Sequence, residues 1–178
     1  SRGRASPGAN LESECPVCEA GTFANVTGSS ACSECNAGSF SLAASQECSL
    51  CPPGKLSGGR ASECVDCEAG TMSAADGSSA CTKCPAGSMS EAEGATACTD
   101  CAPGKAQGET GRTACNDCDA GKAAANAGAQ VCDDCPGNDY SSTGSTMCNQ
   151  CTRGFYYSLD EQCVACPFDS TDCPADGG

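Results

Sequence analysis

The sequence predicts a small disulfide-rich fold. It would be an elongated tandem-repeat rod of about ten 15–17-residue units, made of turns and short β-arms with little regular secondary structure. Three observations predict it. Twenty of the 21 cysteines form ten Cys-x-x-Cys pairs, from Cys15/Cys18 to Cys163/Cys166, recurring every 15 to 17 residues. The third residue after the second cysteine of a pair is glycine in eight units: Gly21, Gly38, Gly54, Gly70, Gly87, Gly104, Gly121 and Gly154. Bulky apolar residues are too few for an ordinary core, with aromatics at 4% and no tryptophan. A chain of this length normally buries a continuous core of large side chains. Cross-links must take over that role, each closed loop contributing about 3 kcal/mol in the chain-entropy model.

Taken in order, residues 1–14 form a linker-like lead-in, rich in Pro, Gly and Ser over SRGRASPGAN. No apolar run approaches the roughly 18 residues of a spanning helix, and no signal-peptide apolar region opens the chain. We therefore expect a mature or excised piece of a longer secreted protein. Residues 15–166 are the repeat array. CEAGTFANVTGSSAC, CEAGTMSAADGSSAC and CPAGSMSEAEGATAC show its pattern. The recurrent glycine implies a tight turn through left-handed backbone, and Asn138, at that position in the unit opened by Cys135, is the next most tolerant residue type. A second glycine (Gly28, Gly77, Gly94, Gly111, Gly128) marks the return turn. Two positions after the first glycine stands a larger apolar residue, namely Phe23, Phe40, Leu56, Met72, Met89, Tyr140 or Tyr156. It is expected to pack on the neighbouring repeat's cystine, although Ala106 and Ala123 replace it midway. Residues 167–178, within CPFDSTDCPADGG, lack the glycine and read as a cap or the start of a further module.

Two pairings fit the repeat. In one, each loop has its own bridge: Cys18–Cys32, Cys35–Cys48, Cys51–Cys64, Cys67–Cys81, Cys84–Cys98, Cys101–Cys115, Cys118–Cys132, Cys135–Cys148, Cys151–Cys163 and Cys166–Cys173, with Cys15 unpaired in this chain. In the other, pairs cross-bridge two by two, as Cys15–Cys32 with Cys18–Cys35, leaving Cys173. The second makes bridged and unbridged loops alternate. The loop sequences do not alternate, which favours the first, with Cys15 bonding a preceding repeat or another subunit.

The consensus C-x-x-G-x-(F/M/Y)-S-x-x-x-G-x-x-x-C-x-x-C resembles the ephrin-receptor-like cysteine-rich repeat over roughly residues 15–166. It is also similar to the single-disulfide module of tumour-necrosis-factor receptors, with CPPGKLS at Cys51 and CPAGSMS at Cys84 nearest to that form. The resemblance implies an elongated extracellular rod with a ladder of disulfides. Such repeats serve as receptor stalks, ligand-binding ectodomains, and matrix or surface proteins.

Charge and composition exclude several classes. The net charge is −14, from 23 acidic and nine basic residues, which disfavours nucleic acid and anionic membranes. Histidine is absent, so no Ser-His-Asp or Cys-His arrangement forms; we expect no catalytic residues, no enzyme and no cofactor. Zinc is the rival use of paired Cys-x-x-Cys motifs. The glycine falls two residues later than a zinc knuckle wants it, and strict tandem copies suit a ladder, so no metal site is assigned. Glu34, Asp66, Asp117, Asp133 and Asp134 beside the cysteines oppose thiolate chemistry. The cluster Asp117, Asp119, Asp133 and Asp134 reads as a solvated rim rather than a calcium site.

Asn25-Val26-Thr27 is an N-glycosylation sequon on a loop. Exposed hydroxyls such as Ser78, Ser79, Ser141 and Ser142 are candidate O-glycan carriers. Arg153, Phe155, Tyr156 and Tyr157 form a possible contact patch toward a downstream domain or a neighbouring subunit. The function expected is an extracellular, secreted or cell-surface structural repeat protein: a stalk, surface coat or self-associating filament component, by resemblance like those of ciliary hairs. The alternative is a receptor-type ectodomain that binds a protein ligand along one face. The partners expected are further copies, neighbouring domains of a longer chain, and glycans; neither nucleic acid nor membrane insertion by this segment is expected.

Overall fold

The computed structural model describes residues 16–27, 29–152, 154–158 and 162–166. The expectations placed on residues 1–14, Cys15, Gly28, Arg153, Cys173 and the 167–178 tail lie outside them. The described chain is a small disulfide-rich tandem repeat of short antiparallel strand pairs, with no helix among the described residues.

Each described repeat is one hairpin, and in the first seven the return strand is the dipeptide inside the next Cys-x-x-Cys. Lys55–Leu56 pairs with Val65–Asp66, placing Lys55 opposite Asp66 and Leu56 opposite Val65. The Cys51–Cys64 bridge closes the same loop, with 5.7 Å between its Cα atoms, within the usual range for a disulfide. The turn leading into the hairpin follows from its residues. Pro53 supplies a fixed φ, Gly54 takes φ 81°, and the Lys55 amide donates to the Pro52 carbonyl at 3.1 Å. This is the arrangement of a type II turn, which requires positive φ at its third residue.

Contacts divide the chain into two units, residues up to Lys83 with Ser90–Cys98, and Cys84–Met89 with Thr99 onward. In the first unit, Thr22–Phe23 pairs with Ser33–Glu34, Ser39–Phe40 with Ser49–Leu50, Lys55–Leu56 with Val65–Asp66, and Thr71–Met72 with Thr82–Lys83. In the second, Ser88–Met89 pairs with Thr99–Asp100, Lys105–Ala106 with Asn116–Asp117, and Lys122–Ala123 with Asp133–Asp134. Asp139–Tyr140 then pairs with Gln150–Cys151, and Phe155–Tyr157 with Cys163–Ala165.

Successive repeats are tied by backbone hydrogen bonds that recur with the repeat. In the first unit the turn-glycine amides of Gly21, Gly38, Gly54 and Gly70 donate to the carbonyls of Ser41, Ser57, Ser73 and Ser90 at 2.8–2.9 Å. The amides of Ala44, Arg60, Gly77 and Gly94 donate to Cys18, Cys35, Cys51 and Cys67 at 2.7–2.9 Å. The second unit repeats both sets: Gly87, Gly104 and Gly121 donate to Gln107, Ala124 and Ser141, and Gly111, Gly128 and Gly144 to Cys84, Cys101 and Cys118. Buried amides and carbonyls need such partners.

The interior differs from the expectation in one respect. The larger apolar residues are only half-buried at Phe23, Phe40, Leu56, Met72, Met89 and Tyr156, and Tyr140 is 38% exposed. What is buried is sulfur and small side chains. Cys18, Cys35, Cys51, Cys67, Cys84, Cys101 and Cys118 are 0–3% exposed, joined by Ser41, Ser57, Ser73, Ser90 and Ser141 and by Ala24 and Ala124. A hairpin of two residue pairs encloses no space wide enough for an aromatic ring.

Candidate functional site

The recurrent chemistry of the chain is its sulfur. The second cysteine of each pair bonds the first of the next pair in Cys18–Cys32, Cys35–Cys48, Cys51–Cys64, Cys67–Cys81, Cys101–Cys115, Cys118–Cys132, Cys135–Cys148 and Cys151–Cys163. Cys84, Cys98 and Cys166 are disulfide-bonded as well. From Cys32/Cys35 to Cys132/Cys135 the dipeptide spacer of each pair is a strand, so one cysteine closes the loop behind it and the other opens the loop ahead.

The turn glycine has a second function that the sequence did not reveal. A methyl group on Gly38 would lie 1.9 Å from the Gly77 carbonyl oxygen, and one on Gly54 would lie 2.2 Å from that of Gly94. Gly21 stands in the same relation to Arg60, Gly87 to Gly128, and Gly104 to Gly144, at 2.1–2.2 Å. Hydrogen bonds join neighbouring repeats, while these five glycines let their repeats touch the next but one. Positive φ predicts glycine at such a site. The close approach two repeats away leaves no local signal.

The return turn is less demanding. Ala44 (φ 63°) and Arg60 (φ 56°) occupy it without glycine. In the unit opened by Cys135 the positive φ falls on Gly137 (56°) and not on Asn138, because the glycine of the Pro136–Asp139 turn stands one place earlier. Ser141 is fully buried and donates to the Lys122 carbonyl at 2.7 Å, which removes it from the candidate O-glycan carriers.

The exposed strand faces carry the charge. Cross-strand register places Lys55 on Asp66 (2.7 Å) and Lys105 on Asp117 (2.6 Å), and it pairs Lys122 with Asp134. Arg60 reaches Glu34 at 3.3 Å. The hydrogen bond and charge of Asp134, with a further contribution from Asp119, hold the Lys122 ammonium above the usual lysine range. Asp117 and Asp134 therefore have lysine partners. Among the described residues, no group of His, Cys, Asp or Glu is arranged to hold a metal ion.

Of the contact patch, Phe155 and Tyr156 are half-buried, opposite Ala165 and Val164, and Tyr157 is registered with Cys163. Asn25, Val26 and Thr27 are exposed beyond the first described hairpin strand. Among the described residues, no helix is long and apolar enough to cross a membrane.

The hairpins and bridges define a class: a cystine-supported tandem repeat of the kind typical of extracellular domains. Residues 54–101 match the family described as tyrosine-protein kinase ephrin type A/B receptor-like. That stretch starts at the Gly54 turn and runs to Cys101. A comparison with curated proteins gives no match.

Proposed function

We propose that the chain is a structural repeat of the extracellular space: a stalk, surface coat or filament component that holds or spaces other parts of an assembly. One observation carries this reading. Within both units, from Gly21 to Gly121 and from Cys18 to Cys118, the turn amides and cysteine carbonyls are committed to the neighbouring repeat, while the sulfur is buried in the bridge that closes each loop. The outward face carries the acidic charge among scattered exposed apolar residues such as Leu42, Leu50 and Val131, and a net charge of −14 suits a crowded surface protein that must stay soluble. The reading is non-enzymatic. Histidine is absent, and Asp66, Asp117 and Asp134 sit on exposed strands facing lysines rather than in a cleft.

A receptor-type ectodomain is the second reading, favoured by the three-residue aromatic strand Phe155–Tyr157. Electron microscopy of the native material tests the first reading directly, with fibres or an ordered coat expected. The Tyr157→Ala variant separates the two. Impaired assembly supports the structural role; intact assembly with lost binding of a separate protein contradicts it.

A further inference from the structure

We propose that Asn25 is an N-glycan attachment site, and that the first sugars lie against the polar hollow formed by the following loop. The proposal rests on the extracellular reading above. Attachment transfers an oligosaccharide from a polyprenyl diphosphate carrier. The Asn25 Nδ2 displaces the lipid diphosphate at the anomeric carbon, forming one C–N bond, breaking one C–O bond and releasing one proton.

Three features support attachment. Asn25, Val26 and Thr27 are all exposed, just after Ala24, whose amide is fixed to the Ser45 carbonyl at 3.2 Å. Among the described residues, the Asn25 side chain has no hydrogen-bond partner, so its amide is free to react. The position is also open by design of the repeat. Its equivalents Leu42, Gly58, Ala74, Glu91, Gly108, Ala125 and Ser142 are all exposed, and a Cβ on Gly58 would meet nothing within 4 Å. A large substituent there displaces no packed atom.

The seat for the sugar lies beside Asn25. Asn25 borders an open hollow whose other walls are Ala44, Ser45, Gln46, Glu47 and Ser49. Hydroxyl, amide and carboxylate groups without an aromatic floor suit a sugar's hydroxyls better than an apolar ligand. Asn25 is itself part of the hollow's rim, so the attached chain covers Glu47.

The test uses the full chain secreted from a eukaryotic host. Amidase release of N-glycans in heavy-oxygen water should convert Asn25 to labelled aspartate, and Thr27→Ala should abolish the label while secretion persists. Cleavage after Glu47 by a glutamate-specific protease should be several-fold slower with the glycan than after its removal, while cleavage after Glu63 is unchanged. A secreted chain with the Cys18–Cys32 bridge formed and Asn25 bare overturns the attachment. Equal cleavage at Glu47 with and without the sugar overturns the seat. Free thiols in the secreted chain overturn the extracellular reading itself.

Discussion

At the scale of single residues, glycine and serine do the work that large apolar side chains do elsewhere. Gly38 and Gly121 have the same left-handed φ, 87° and 83°, but different surroundings. Gly38 faces a backbone oxygen, whereas the nearest atom to a methyl on Gly121 would be a Tyr140 ring carbon at 3.6 Å. Gly121→Ala should cost only the left-handed penalty of about 1–2 kcal/mol. Gly38→Ala adds an overpacking cost of roughly 1–3 kcal/mol. Hydrogen exchange should register this as lost protection at the Gly77 and Cys51 amides. Similar losses in both variants would contradict the close-approach argument. Ser57 Oγ donates to the Ser39 carbonyl at 3.0 Å in a buried position, so Ser57→Ala should weaken protection of the Gly38 amide by about 1 kcal/mol. The turn glycines were legible in the sequence because positive φ admits few residues. The buried serine was not, because an Oγ that caps a carbonyl about one repeat away looks like any surface serine.

At the scale of the hairpin, stability is shared between a bridge and a register. Replacing Cys51 and Cys64 with alanine removes a loop closure worth about 3 kcal/mol. Exchange should quicken at Gly54, Cys67 and Gly77, whose hydrogen bonds flank that loop, while the amides of the 118–132 loop keep their protection. Chain-wide loss would show that the repeats do not act as near-neighbour units. Register also sets the charge pairs, and Lys122 is the informative one. Its folded pKa lies above the ordinary value near 10.5, so its ion pair contributes fully below that value and is lost as pH rises through the raised one. A side-chain NMR titration should find Lys122 deprotonating after an unpaired lysine, and Asp134→Asn should return it to the ordinary range. The alternating glycines and Cys-x-x-Cys spacing made the hairpins readable, but not the fact that the spacer dipeptide is itself the return strand. Two residues are too short to show a period. The larger apolar residues misled for a related reason: their one-per-unit recurrence resembles a core position, yet a two-pair hairpin has no interior to receive them.

For the whole molecule, the account places stability in oxidised sulfur and in hydrogen bonds between consecutive loops. The composition made the first part legible, since a chain with 21 cysteines and 4% aromatics lacks the large apolar side chains of an ordinary core. The pairing itself was open to two schemes until the loops were seen closed one by one. Non-reducing peptide mapping tests that pattern most directly, because the spacer dipeptides carry cleavable residues such as Asp66 and Lys83. Cutting before Asp66 and Asp76 and after Lys83 should release the 66–75 and 76–83 peptides joined only to each other by Cys67–Cys81, lighter than the two reduced peptides together by two hydrogens. A segment joined through sulfur to its neighbours, retaining free thiols or carrying zinc would contradict the account.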